Sequence, residues 1–143
     1  MRLQQNARLA LYAVLDFAAD PQRLISAGEI AAKYKVSTHH LAKVLRKLGR
    51  AGLLRAARGV GGGYRFAANA NRVTLLDVVG LFEQIGAAKA RGARRAEERA
   101  LEEVLAEIDD IARATFGSIT LATMLKLVGR RAQRLSGAPG RAG

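Results

Sequence analysis

The chain has no cysteine and no tryptophan. Without thiols there is no disulfide, no thiolate nucleophile and no thiolate-held zinc or iron–sulfur cluster, and a reducing cytoplasm is the expected compartment. Three Tyr and four Phe, with no aromatic pair on a basic strand, argue against the platforms on which single-stranded bases stack. Long apolar runs are also missing. The longest charge-free stretch, Ala114 to Leu125, is twelve residues, well short of the ~20 that a spanning helix needs. Met1 to Asn6 carries Arg2 and no apolar run of the secretory kind. Neither export nor a membrane partner is expected.

Acidic residues are scarce. Lys and Arg number 24 against 12 Asp and Glu, a net charge of +12, which points to a polyanionic partner such as nucleic acid. The excess is uneven: Met1 to Arg72 holds 13 basic and 3 acidic residues, whereas Val73 to Gly143 holds 11 and 9. A charge serving only solubility would have no reason to concentrate in one half. Half of the 143 residues are hydrophobic, enough for one packed domain with an appendage and too few for two full cores.

Leu3, Ala7, Leu11, Val14, Leu15 and Ala18 recur at spacings of three and four, an amphipathic helix over 3–19 ended by Asp20-Pro21. Ser26 with Glu29 reads as a capping box opening a short helix through Ile30, Ala31 and Tyr34. Lys35-Val36 is then a turn, Ser37 a second N-cap, and a third helix runs from Thr38 to about Ala51, with Gly52 at its C′ position. At about 100° per residue, Leu41, Val44, Leu45 and Leu48 fall on one side of this helix. His39, Lys43, Arg46, Lys47 and Arg50 fall on the other. An apolar back and a cationic front behind a shorter helix is the layout of a helix-turn-helix, although a solvated surface helix has the same pattern.

The following residues favour the helix-turn-helix. Leu53-Leu54-Arg55 and Tyr64-Arg65-Phe66-Ala67 read as paired strands, a β-hairpin wing around Arg58-Gly59-Val60-Gly61-Gly62-Gly63. Glycines so dense, Gly61 and Gly62 among them, suit a backbone that needs φ > 0 or lies close against another surface. A phosphate-cradling nucleotide loop is excluded, because no Gly-Lys-Ser/Thr follows and Tyr64 stands where a G-x-G-x-x-G pattern needs glycine. Arg58 and Arg65 flank the loop as candidates for phosphate or minor-groove contact.

Beyond residue 72, Thr74 with Asp77 caps a helix expected to contain Leu75, Val78, Val79, Phe82 and Ile85 and to end near Gly86. The polar, basic segment Ala87 to Glu98 is left unassigned. A long helix from Glu97 to about Phe116 carries Leu101, Val104, Ile108, Ile111 and Thr115, with Leu105 and Ala112 widening the stripe. One winged-helix body has too little surface to cover it, so part of it is expected at a two-fold dimer contact. Thr120 caps a last helix through Leu121, Met124, Leu125 and Leu127. The expected organisation is a DNA-binding region at 1–72, dimerisation helices with a connecting segment at 73–135, and a flexible tail at 136–143.

The block S-T-H-H-L-A-K-V-L-R-K-L-G-R-A-G-L-L from Ser37, followed by R-G-V-G-G-G-Y-R from Arg58, resembles the Rrf-two family of bacterial winged-helix regulators, the group of the iron–sulfur regulator IscR and the nitric-oxide-sensing repressor NsrR. V-T-L-L-D-V-V and S-I-T-L-A-T-M-L extend the resemblance over about residues 1–127. It implies a mainly α fold with a small β-hairpin wing, a winged helix-turn-helix plus a long dimerisation helix, and operator binding as a homodimer. Ser37, Thr38, His39, His40 and Lys43 would face the major groove, and Arg58 would lead the wing toward the minor groove. Ala42 replaces a Glu that tunes base preference in IscR-like members, so their operator preference does not transfer. Many members hold a sensing cluster through three cysteines between the Thr74 helix and the long helix; Ala87 to Ala100 has none.

A metal site is not expected. His39 and His40 are the only histidines, and adjacent residues on a helix point about 100° apart. No nucleophile, base and orienter converge, so an enzyme is not expected either. The expectation is a cytoplasmic, homodimeric, sequence-specific regulator, a repressor with no cofactor, on a palindromic double-stranded DNA operator. Arg46, Lys47, Arg50 and Arg65 would hold phosphates, while His39, His40 and Lys43 would read bases. The alternative is a non-specific architectural DNA- or RNA-binding protein. Control would come from a small ligand between winged domain and long helix, from a partner at the basic Lys89 to Arg99 segment, or from no effector.

Overall fold

The computed structural model describes residues 1–59, 61–85, 92 and 95–137. Among them the elements run α1 Gln5–Ala19, α2 Ala27–Tyr34, α3 Thr38–Arg50, β1 Leu54–Ala57, β2 Gly63–Phe66, α4 Leu75–Val79, α5 Ala96–Ser118 and α6 Leu121–Ser136. The fold class is the expected one, mainly helical with one antiparallel hairpin.

α1 is the central post. Ala7, Ala10 and Ala13 are fully buried beside Val14 and Phe17, and these small side chains let α3, α4 and α6 approach closely. Leu41, Leu45 and Leu48 of α3, Ile30 of α2, Val78 and Val79 of α4 and Leu121 of α6 complete one core. Each buried Leu, Ile or Phe contributes ~1.5 to ~3 kcal/mol of apolar transfer. Val73, Leu75, Val78, Val79 and Leu121 therefore share a core with the residues before 72.

Helix ends follow side-chain chemistry. Ser26 Oγ accepts the Glu29 N–H at 3.1 Å, but the reciprocal half of the expected capping box is not made, because the Glu29 carboxylate pairs with the Arg23 guanidinium. Lys35 takes the left-handed conformation, φ 55°, and ends α2, which turns the chain into Ser37. At Thr74 the box is complete: Asp77 N–H reaches Thr74 Oγ1 and Thr74 N–H reaches Asp77 Oδ2 at 2.9 Å.

α4 is shorter than its apolar spacing suggested. It ends at Val79, and Phe82 and Ile85 lie beyond it. Gly80 has the lowest helix propensity of any residue except proline, and Leu81 and Phe82 close tight turns on Val78 and Val79 instead of extending the helix. Ile85 is nevertheless buried. β1 likewise starts at Leu54, one residue late, because Leu53 N–H bonds Leu48 O and so completes the end of α3. The caps of α4 and α6 are joined side by side, with Leu75 N–H to Ile119 O and Leu121 N–H to Val73 O, both 2.9 Å.

α5 has 23 residues and no buried side chain, a length of about 35 Å. Only Ala112 and Phe116, near its C-terminal end, pack against the core. Of the expected tail, Ser136 ends α6 and Gly137 caps it; 138–143 lie outside the described residues, as do Lys89 and most of the segment expected to connect α4 to α5.

Around α1 and α2 the polar contacts are local. Tyr12 and Tyr34 stack with centroids 5.4 Å apart, Tyr34 Oη donates to Asp16 Oδ2 at 2.6 Å, and Lys33 pairs with Asp16 at 2.7 Å. Partial burial first, then the Asp16 carboxylate, push the Tyr34 hydroxyl well above the ordinary tyrosine range.

Candidate nucleic-acid interface

Ser37 fixes the start of α3 by accepting the His40 N–H at 3.0 Å, so its hydroxyl has a structural duty at the point where the helix would meet bases. The α3 back is buried as the spacing required: Leu41, Val44, Leu45 and Leu48 are at most 2 % exposed. Thr38, His39, Lys43, Arg46 and Arg50 are exposed, and His40 is half-buried. By helix geometry His39, Lys43, Arg46 and Arg50 form one line along the front, with Lys47 and His40 on its flank. Lys47 is the residue whose surroundings differ from expectation. Its ammonium lies 5.0 Å from the Phe82 ring centroid, a cation–π contact that turns it toward the body of the protein.

The hairpin continues this cationic face. Arg55 and Arg65 are register partners, as are Leu54 and Phe66. The apolar pair is buried and the arginine pair exposed, as strand alternation requires. Arg58 follows β1 and is exposed, Gly59 and Gly61 have φ of 124° and 78°, and Val60 lies outside the described residues. Gly61 is exposed, so its backbone is accessible at the tip. Gly62 is constrained by the wing itself, since a Cβ there would lie 2.8 Å from Ala57 O.

Two features of this surface are not legible in the sequence. Ile25 exchanges backbone hydrogen bonds with Tyr64, 2.9 Å in each direction, and so acts as a one-residue third strand. Gly63 permits it, because a Cβ there would meet Ile25 O at 2.6 Å. Arg55 also belongs to the cationic surface: Arg46, Arg50, Arg55 and Tyr64 line one open groove between α3 and the hairpin. A single isolated residue pairing with a strand has no period to detect, but the third glycine of the run was a signal of close approach. Between Glu29 and Asp77 the chain has no acidic residue, so no neighbouring carboxylate in sequence dilutes this face.

The residues expected at the dimer contact are all exposed. Leu101, Val104, Leu105, Ile108 and Ile111 are between 46 and 67 % accessible, and Thr115 is exposed with its hydroxyl bonded to Ile111 O. α5 thus carries an apolar stripe that its own chain leaves open.

Residues 3–127 match the Rrf2 family, described as iron-dependent transcriptional regulators. The chain is 52 % identical over 130 residues to a protein named as the HTH-type transcriptional regulator BadM of Rhodopseudomonas palustris, covering 90 % of this chain and 83 % of that one. It is 32 % identical over 96 residues to the HTH-type transcriptional regulator IscR of Cereibacter sphaeroides, covering 65 % of this chain and 62 % of that one. In fold it is similar to the global cysteine regulator CymR of B. subtilis, with a TM-score of 0.77 at 22 % identity over 89 % of this chain and 98 % of that one. T. potens IscR gives 0.67 at 24 % identity over 90 % and 88 %. These relatives are regulators and not enzymes, and among the described residues no helix is long and apolar enough to cross a membrane. The chain belongs to the Rrf2 family of DNA-binding, winged-helix transcriptional regulators.

Proposed function

We propose that the protein is a cytoplasmic homodimer that binds a palindromic operator in double-stranded DNA and represses by occupying it. The carrying observation is α3, a helix with a wholly buried back whose exposed front is His39, Lys43, Arg46 and Arg50. In this reading the capped N-terminal end, Ser37 to Lys43, enters the major groove and reads bases. Arg46, Arg50 and Arg65 hold phosphates, with Lys47 adding charge from the flank. Arg58, with the Gly61 and Gly62 backbone, approaches the minor groove. The stripe from Leu101 to Ile111 supports dimerisation, because a soluble domain rarely leaves so continuous an apolar face in water.

For the iron in the family description the chain has no thiolate to offer. The chain has no cysteine and two adjacent histidines, and among the described residues no three His, Cys, Asp or Glu side chains gather as a metal site would need. DNA binding in this reading is therefore independent of a thiolate-held cluster.

Selection from a pool of random duplexes tests the proposal. An enriched dyad with half-sites about one helical turn or its multiples apart is the expected result. Neutralising six to ten phosphates should lower affinity by about 10³ to 10⁵ between 50 and 200 mM salt. Equal affinity for the enriched duplex and its scramble would favour the architectural alternative, and a salt-independent response would overturn both.

A further inference from the structure

The outer face of the hairpin carries a charge arrangement that the hairpin itself does not explain. Arg55 and Arg65 stand directly opposite each other on β1 and β2. Ala67 N–H bonds Leu53 O at 2.9 Å one step outside the ladder. Antiparallel alternation therefore makes 55 and 65 a hydrogen-bonded pair, with Cα atoms about 5.5 Å apart and both side chains on one face. Like charges so placed repel and weaken a hairpin. Among the described residues neither guanidinium has a carboxylate partner. The two arginines line a shallow pocket with Pro21, Gln22, Phe66 and Ala67, and none of these side chains is acidic. Gln22 adds neutral hydrogen-bonding capacity at the rim.

A paired guanidinium site with no internal counterion is suited to a tetrahedral dianion or a phosphodiester oxygen pair, which can accept from both forks at once. Its position is as informative as its chemistry. Arg55 also borders the groove that holds Arg46 and Arg50, so the cationic line along α3 passes over the hairpin into this second pocket. In the proposed reading the N-terminal end of α3, Ser37 to Lys43, meets the bases, and Arg50 lies about 10 Å further along the helix axis. Arg55 and Arg65 follow Arg50 at the end of this line, a position suited to backbone beyond the bases that α3 would read.

We propose that Arg55 and Arg65 form a phosphate clamp that grips one backbone phosphate of DNA flanking each half-site, beyond the reach of the recognition helix and the wing tip. The clamp rests on the DNA-regulator reading for its source of phosphate; a free phosphoryl compound would use the same chemistry, and the two are separable.

The test uses the full chain, its Arg55→Gln and Arg65→Gln variants and the double variant. In the first arm, binding to a duplex selected from random sequence is titrated across salt. Each phosphate neutralised, with release of its counterions, contributes about 0.9 to the logarithmic salt slope, so loss of one clamp per protomer should flatten the slope of the dimer by about 2. The two single variants and the double variant should lose about the same amount, because one phosphate is shared. Trimming the duplex to the selected dyad should weaken the unmodified chain and leave the double variant unaffected. Unchanged slopes would overturn the clamp on DNA, and additive losses would replace it by two independent contacts.

In the second arm, thermal melting is followed with inorganic phosphate against chloride at equal ionic strength. A phosphate-specific rise in Tm, absent from both single variants, with duplex binding unchanged, would assign the clamp to a free phosphoryl ligand. No response in either arm overturns the site. A chain that binds no duplex at all overturns the regulator reading instead, and the melting arm then decides the clamp alone.

Discussion

Ile25 and Tyr64 exchange two backbone hydrogen bonds of 2.9 Å across 39 positions of sequence. This bridge fastens the wing to the segment just before α2, so helix-turn-helix and wing form one rigid surface.

Substitution of Gly63 should loosen that surface. A Cβ at Gly63 would sit 2.6 Å from Ile25 O, and backbone cannot rotate away as a flexible side chain can. Gly63→Ala is expected to cost about 2 kcal/mol, in the range of overpacked cores, seen as a lower midpoint in urea with weaker DNA binding. Gly129→Ala, in exposed helix with nothing within 4 Å, should be neutral or stabilise by up to ~1 kcal/mol. Equal behaviour of the two variants would contradict the bridge.

The open stripe of α5 makes a prediction about assembly. Ile111 is 67 % exposed and Ile108 55 %, so Ile108→Glu leaves the core of the chain untouched. Sedimentation should report a folded monomer with unchanged helical circular dichroism, and affinity for a two-half-site duplex should drop at least about 100-fold, as the second half-site no longer binds intramolecularly. A dimer persisting in this variant and in Ile111→Glu would place the interface elsewhere.

Iron removal is expected to do nothing. With no cysteine in the chain, protein purified without oxygen should be colourless, and a strong iron chelator should leave the DNA affinity within a factor of about two. A coloured, iron-bearing sample or chelator-sensitive binding would show that donors other than thiolates serve.

Tyr34 sets an alkaline limit. Its hydroxyl is held protonated by partial burial and by Asp16, so its folded-state pKa exceeds the unfolded value of about 10. The contribution is fully present below pH ~10 and is lost as pH rises toward the folded-state value, because unfolding then releases a proton. Denaturant midpoints should fall less steeply above pH ~10 in Tyr34→Phe than in the unmodified chain. Parallel curves would mean that the tyrosinate is tolerated in place.

Periodicity made α1, α3 and α5 legible, because each repeats its apolar residues for two turns or more, and Asp20-Pro21 bounds the first as Ser37 and Gly52 bound the second. Leu41, Val44, Leu45 and Leu48 were readable as a buried back, and their spacing placed Lys43 and Arg46 in front. α4 was overextended because Phe82 and Ile85 keep helical spacing after the backbone has left the helix at Gly80. Burial was preserved there by a different chain path, which spacing cannot distinguish. The turn of Lys47 toward Phe82 depends on two segments 35 positions apart. The partnership of Ile25 with Tyr64 likewise depends on tertiary approach. Arg55 was passed over because a lone cation on a short strand has no meaning until its register partner is known.

α5 is anchored through Ala112 and Phe116, with the rest of its length projecting from the core. It is mechanically a lever with its fulcrum near one end. From that fulcrum the shaft runs about 27 Å to Ala96, so a tilt of about 10° would displace its far tip by about 5 Å. Small rearrangements beside Leu76, whose methyl lies 3.5 Å from the Cβ position of Gly117, would thus be magnified along the shaft. In a pair of chains joined by that shaft, the same motion would change the separation of the two reading heads, and with it the length of DNA that they span.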